Sequence, residues 1–131
     1  MINAYNLTEQ ELAQGNFINF SGFNFGCNKF CNGDQNSLTV TRNGTYEITV
    51  SVNASPTVAG QMRFDLTRNS AVIPGGSIYL AGTTVDIIEN GSTKVVVNAF
   101  AGTSFGIKNS TETNPVTVPA QGASIVIRRL A

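Results

Sequence analysis

The alternation of apolar and polar residues over positions 38–54 constrains the fold of this chain more than any other stretch. Apolar side chains recur at every second position on both sides of an Asn43-Gly44 pair: Leu38, Val40, Tyr46, Ile48, Val50, Val52 and Ala54. A period of two puts one face of a strand on a core and the other in water. Asn-Gly accepts the positive φ angles of a tight turn. The stretch therefore predicts a β-hairpin in a mostly antiparallel protein.

Short alternating segments continue along the rest of the chain, separated by turn-forming residues. The turn signals recur at about the eight-to-twelve-residue spacing of sandwiches and jelly rolls. One of these signals is a second Asn-Gly pair, Asn90-Gly91, which predicts another turn. With 131 residues, the chain has the length of one ordinary domain. We expect an all-β, antiparallel jelly-roll sandwich of about ten short strands over residues 16–131.

Residues 1–15 differ from the remainder and predict a separate N-terminal extension. Thr8 and Glu11 have the Thr-x-x-Glu spacing of a helix capping box, and Leu7 and Leu12 could pack beside it. The pattern indicates one or two helical turns ending near Gly15. In this interpretation the extension is a possible anchor to a capsid or to another surface-structure protein.

Charge and hydropathy exclude several classes of function. Only 12% of the residues are charged, against about 25% in an average domain, and eight basic residues balance eight acidic ones. No basic run extends beyond Arg128-Arg129, so the clustered positive charge that nucleic acids require is missing. No apolar run approaches the ~20 residues of a membrane span, and no secretory leader is recognisable. A surface rich in Asn, Thr, Ser and Gly suits an extracellular or particle-bound domain.

The residue types needed for catalysis are scarce. The chain has no histidine, which removes the usual general base and the commonest transition-metal ligand. Apart from Glu9 and Glu11, its carboxylates are widely separated in sequence. We therefore expect no enzymatic activity, no catalytic residues, no cofactor and no resident metal.

Cys27 and Cys31 form the one reactive-looking pair. At a spacing of four residues they could close a local disulfide across a turn. They could equally be two free thiols acting as small, half-buried side chains. A metal shared among several subunits ranks behind both alternatives, since two thiols supply only half of a tetrahedral zinc site.

Phenylalanine is concentrated in a way that predicts association. An aromatic run over residues 17–25 and two further phenylalanines around a predicted turn are candidates for a subunit interface: Phe17, Phe20, Phe23, Phe25, Phe100 and Phe105. Large exposed apolar patches mark interaction sites, and open sheet edges benefit from being covered.

Short motifs resemble the globular heads of the complement-subcomponent and tumour-necrosis-factor superfamily. Asn43-Gly-Thr-Tyr-Glu-Ile48 is similar to its Gly-x-Tyr signature, and Ala71-Val-Ile-Pro-Gly75 is similar to one of its turns. The last strand, residues 123–130, also resembles that of the family. Within the group the resemblance is to C-terminal domains of bacterial collagen-like spore-surface glycoproteins and to phage structural proteins, although no collagen-like stalk is present. The resemblance implies a ten-stranded jelly roll that assembles as a homotrimer.

Together these observations predict a non-catalytic, homotrimeric structural module on a particle surface. The favoured interpretation is a phage virion decoration or fibre-head protein. The alternative is a spore-coat or cell-surface adhesion domain that recognises a receptor or glycan. A small enzyme with its site between subunits ranks third.

Overall fold

The fold is known from a computed structural model that describes residues 1–26, 30–112 and 115–131. Within these ranges the chain forms strands and turns and no helix. The strands are β1 Ile2–Tyr5, β2 Gln10–Leu12, β3 Gly22–Asn24, β4 Cys31–Gly33, β5 Leu38–Val40, β6 Gly44–Pro56, β7 Met62–Arg68, β8 Ala71–Leu80, β9 Glu89–Ala99, β10 Ser104–Asn109, β11 Val116–Val118 and β12 Ala123–Arg129. The expected all-β, antiparallel fold is confirmed.

Strand β6 organises the larger, seven-stranded sheet. One edge of β6 pairs with β9 along its length, from Gly44 opposite Ala99 to Ala54 opposite Glu89. Its other edge pairs with β12 and then, near Pro56, with β11. Strand β12 pairs onward with β1 and β1 with β3, whereas β11 pairs with β2.

The smaller, five-stranded sheet has the order β4-β5-β10-β7-β8 and encloses the core together with the larger sheet. Alternate residues of both sheets are buried, as the period of two requires. The largest fully buried side chains come from both sheets and from one connecting loop: Tyr46, Phe64, Phe105, Ile2, Ile18, Leu38, Ile48, Met62, Leu66, Ile107, Ile125 and Ile127.

The hairpin predicted at Asn43-Gly44 is wrong. Strand β5 pairs with β4 and β10 in the smaller sheet, whereas β6 lies in the larger one, so the chain crosses between sheets here. Neither Asn43 nor Gly44 has a positive φ. Instead, Asn43 Oδ1 accepts a hydrogen bond from the Ala101 amide at 2.8 Å. At Gly44 a Cβ would lie 2.6 Å from the carbonyl oxygen of Ala131, so this glycine permits a close backbone approach.

The second predicted turn, at Asn90-Gly91, is also wrong, because both residues lie inside β9. Gly91 faces β8, where a Cβ would lie 2.5 Å from the Ile78 side chain. A glycine within a strand often marks such a close approach, and the Asn-Gly pair here serves packing between strands.

The helix predicted within residues 1–15 is wrong as well. Ile2 and Ala4 are fully buried in β1, which lies between β12 and β3, and Leu12 is buried in β2 opposite Val116. Burial at alternate positions stabilises the strand, and a capping box alone cannot outweigh it. The role of this segment as an anchor stays a prediction.

Candidate interaction surfaces

The solvent side of the larger sheet is a broad surface with little charge. We call this surface the sheet face; its residues alternate with the buried positions of β1, β6, β9 and β12. They are Asn3, Tyr5, Thr45, Glu47, Thr49, Ser51, Asn53, Asn90, Ser92, Lys94, Val96, Asn98, Ser124, Val126 and Arg128. Most carry short side chains, which leaves the strands accessible to a flat partner.

Contacts between neighbouring strands hold the polar side chains of the sheet face in place. Thr45 Oγ1 donates to Asn98 Oδ1 at 2.7 Å, and Asn90 Nδ2 donates to Asn53 Oδ1 at 2.7 Å. Two of the three charged residues pair with each other, with Arg128 Nη2 lying 3.3 Å from Glu47 Oε2. Such cross-strand pairs order the surface before any partner arrives.

The apolar component of the sheet face was not predicted from the sequence. Val96 is 58% exposed at the centre of β9, while Val126 and Tyr5 are half-buried on β12 and β1. The Tyr5 ring lies over Gly22, where a Cβ would clash with it at 2.2 Å. The alternation within residues 93–100 would have identified Val96, because Val95 and Val97 on either side pack against the core.

A second surface, the loop patch, lies at the end of the sandwich where β6 ends and β9 begins. Its members are exposed apolar residues on two loops: Val58, Val85, Ile87 and Ile88. The loops are tied together, since the Gly60 amide donates to the Gly82 carbonyl at 2.9 Å and the Asp86 amide donates to the Pro56 carbonyl at 3.1 Å. An ordered apolar patch of this kind is typical of a contact site.

The six phenylalanines predicted as a subunit interface do not form one surface. Phe105 and Phe20 are buried in the core of the monomer and cannot face a neighbour, which corrects that part of the prediction. Phe23 and Phe25 stack with their ring centroids 5.7 Å apart and pack partly against the core. The remaining two are accessible.

Those two accessible phenylalanines lie on separate segments of the chain. Phe17 is half-buried on the smaller sheet, where it forms an isolated bridge with Lys108. Phe100 is 77% exposed just after β9, at the opposite end of that strand from the loop patch. Proximity along the chain suggested one interface of phenylalanines, but residues that are close in sequence need not share a surface in the fold.

Of the two cysteines predicted as a reactive pair, the structure describes Cys31. Cys31 is completely buried at the start of β4, and burial raises the pKa of its thiol to about 12. A thiol in this environment is inert, because the reactive thiolate is not populated at neutral pH. Cys27 lies outside the described residues, and so does the predicted disulfide.

A buried carboxylate on β7, Asp65, was also missed by the sequence reasoning. Asp65 is 1% exposed and accepts hydrogen bonds from Ser110 Oγ at 2.5 Å, Ser77 Oγ at 2.6 Å and Arg63 Nε at 3.0 Å. Burial by itself raises the pKa of this carboxyl, but the three hydrogen bonds outweigh it and leave the pKa below its ordinary value. All three partners come from this chain, which indicates a structural role.

The described ranges contain no group of three or more metal-ligating side chains among His, Cys, Asp and Glu. In the same part of the chain, no helix has the length and apolar character needed to cross a bilayer.

Comparison with known proteins supports the fold. The chain aligns with the Eiger TNF of S. frugiperda at a TM-score of 0.78 and 12% identity, covering 99% of this chain and 91% of that one. Murine APRIL aligns at a TM-score of 0.78 and 10% identity, covering 98% of this chain and 97% of that one. The globular domain of zebrafish complement 1qA aligns at 0.73 and 11% identity, covering 99% and 96%. No sequence-family model and no curated protein matches the chain.

The fold is therefore a jelly roll of the kind found in tumour-necrosis-factor-like and complement-1q-like domains. The TM-scores establish a shared fold, and at such low sequence identities the comparison shows the fold alone. The fold expected from the sequence resemblance is therefore confirmed. The likeness to bacterial spore-surface and phage proteins remains a prediction.

Proposed function

We propose that this chain is a non-catalytic module that assembles as a homotrimer through the sheet face. The observation that carries the proposal is the combination of low charge on that face with the exposed side chain of Val96 and the half-buried side chains of Val126 and Tyr5. Interface cores are depleted of charged residues. Here Lys94 is the one charged side chain of the sheet face outside the Glu47–Arg128 pair.

The proposed number of three subunits comes from the family resemblance, and the shape of the sandwich is compatible with a trimer. In a ring of three copies, different parts of each copy's surface meet, for example a face against a neighbour's edge. Strand β9 borders the sheet face and pairs with β6 along one edge. Packing of this border against the next copy would bury Val96 and protect the edge.

Light scattering after size exclusion tests the assembly. We expect a mass of three chains of 13.9 kDa each, with and without reductant. Val96→Lys should dissociate the trimer, because it places a charge in the buried interface. Val72→Lys is the matched control: Val72 is also an exposed valine, but it lies on β8 of the smaller sheet. A monomeric wild type, or equal effects of the two variants, would overturn the proposal.

We further propose that the module belongs to a particle surface, as a phage virion decoration or fibre-head protein. This proposal rests on the motif resemblance described under Sequence analysis. Immunogold labelling of purified virions from the source tests it, and labelling of spores or cell envelopes instead would favour the alternative, an adhesion domain of a spore coat or cell surface.

If the N-terminal segment attaches the module to a capsid, its exposed residues must make the contact. Leu7 and Glu9 are exposed in the connection between β1 and β2, and Glu11 is exposed within β2, whereas β1 and β2 themselves are held in the sheet. Deleting residues 1–15 would remove β1 from between β12 and β3 and would test folding instead. Leu7→Asp is the better variant, since it should abolish attachment while leaving the circular dichroism spectrum unchanged. Full attachment by this variant would contradict the anchor.

A further inference from the structure

The outer side of the smaller sheet carries an open groove, which we call the polar groove. Its volume is about 410 Å³, within the ~300–1,000 Å³ of typical small-ligand sites. The residues that line it are Phe17, Phe105, Gly106 and a set with amide or hydroxyl side chains, and none of the described residues that line it is charged. The Phe105 side chain itself is buried in the core, so Phe17 is the one of these two phenylalanines whose side chain is accessible. The main polar members are Asn36, Ser37, Thr67, Asn69, Ser70 and Ser104.

Phe17 forms an aromatic wall of the polar groove. Its main chain forms a bridge with Lys108, and the next residue, Ile18, donates its amide to the Ile107 carbonyl at 2.9 Å. Gly106 lies beneath it: a Cβ there would lie 3.4 Å from Phe17 Cδ1 and 2.8 Å from the Asn36 carbonyl oxygen. The floor of the groove is therefore backbone, and the half-buried ring is held in place above it.

Several polar side chains that line the groove have hydrogen-bonding groups that no protein atom uses. Asn69 Oδ1 accepts a hydrogen bond from the Ser104 amide at 2.9 Å, which orients the side-chain amide. Among the described residues, no protein group bonds Asn69 Nδ2, the Asn36 amide or the Ser70 hydroxyl. Asn69 and Ser70 have positive φ values of 48° and 71° because they form the two-residue turn that joins β7 to β8, a turn type that needs positive φ at both positions.

We propose that the polar groove binds a neutral pyranose unit of a surface polysaccharide. An uncharged sugar presents a flat C–H face, which an aromatic ring can cover, and hydroxyls, which amides and serine hydroxyls can bind. The absence of charge in the lining disfavours acidic sugars, whose carboxylate would lose water without gaining a cationic partner. Phe17 covers the sugar ring, and Asn36, Asn69 and Ser70 bind its hydroxyls.

This proposal goes beyond the assembly role and does not depend on it, because one chain supplies the whole groove. The groove lies on the smaller sheet, whereas the sheet face lies on the larger one. A trimer built on the sheet face would leave three grooves open outward, and linked sites raise the avidity for a repeating polymer.

The test is an NMR titration of the full chain with methyl glucoside, methyl galactoside and methyl mannoside. Single sugars are expected to bind weakly, with dissociation constants on the order of 1 mM. We expect one or more of them to shift the side-chain amide signals of Asn36 and Asn69, and N-acetylneuraminic acid to leave them unchanged. No shift with any neutral sugar, or shifts confined to the loop patch, would overturn the proposal.

Variants separate the groove from the rest of the surface. Phe17→Ala should weaken binding at least about tenfold, and Ser70→Gly about fivefold, as expected for one lost hydrogen bond. Ser70→Gly keeps the backbone conformation, so it decides the matter if Phe17→Ala fails to fold. The matched control is Phe100→Ala, an exposed phenylalanine outside the groove, which should change binding less than about twofold. Unchanged binding by folded Phe17→Ala and by Ser70→Gly would refute the site.

Discussion

Replacing Asp65 with alanine should destabilise the protein by about 3 kcal/mol. The two serine hydroxyls that donate to this carboxylate account for about 1.5 kcal/mol each, as is typical of hydrogen bonds to a charged group. The Arg63 side chain is 39% exposed, so its ion pair with Asp65 adds less than ~1 kcal/mol after screening by solvent. Hydration of the half-buried serines in the variant offsets part of the loss. For a chain of 131 residues, this corresponds to a fall of about 10 °C in the melting temperature.

The assay is unfolding in guanidinium chloride followed by circular dichroism. All variants must be compared at one protein concentration, because dissociation of an oligomer contributes to the midpoint. Asp34→Ala is the control: Asp34 is an exposed loop aspartate, and its loss should change stability by less than ~0.5 kcal/mol. A loss below ~1 kcal/mol for Asp65→Ala, or equal losses for both variants, would refute the reasoning.

The dependence of this effect on pH has a definite sign. The pKa of Asp65 is lower in the folded protein than the ~3.9 of an unfolded chain. The carboxylate therefore stabilises the fold fully above about pH 4, and this stabilisation is lost as the pH falls through the folded-state pKa. The stability difference between wild type and Asp65→Asn should be constant at neutral pH and shrink under acid conditions. A difference that grows on acidification would show that the assigned direction of the shift is wrong.

Two further pairs of variants test the packing. Gly82→Ala should lower the free energy of unfolding by at least about 3 kcal/mol, because the new Cβ would lie 1.8 Å from the Gly60 carbonyl oxygen. Gly75→Ala should lower it by about 1 kcal/mol, since Gly75 also has a positive φ but no atom lies within 4 Å of the new Cβ. Equal falls in melting temperature would contradict this. Tyr46→Phe should cost about 1 kcal/mol in chemical denaturation, since the buried hydroxyl donates to a main-chain carbonyl at 2.5 Å. The exposed Tyr79→Phe should cost less than ~0.5 kcal/mol, and a larger loss there than at Tyr46 would disprove the assignment.

Much of the candidate site could not be predicted from the sequence, because it depends on contacts between distant residues. The sequence pointed to exposed aromatics as the basis of association, but Phe20 and Phe105 pack in the core of the monomer. The sheet face arises where β6, β9 and β12 lie side by side, and the polar groove arises where the loop of Phe17 crosses the smaller sheet. In each case the sequence pattern of one segment does not identify the segment that packs beside it in the fold.

Taken alone, the sequence determined the class of fold and the buried face of most strands. Both are local properties: a residue and the one two positions later share a face, and apolar residues at that spacing must be covered. The alternation in β6 thus correctly identified Tyr46, Ile48 and Val50 as core residues.

Only the tertiary structure decided which strands pair. Backbone hydrogen bonds have nearly the same chemistry at every position, so a strand edge does not encode its partner. Asn43-Gly44 therefore became a crossing between sheets, and the N-terminal residues became a strand between β12 and β3. Burial of Ile2 and Ala4 against the assembled core outweighed the local capping signal at Thr8, because burial in a complete core contributes more than one helix cap.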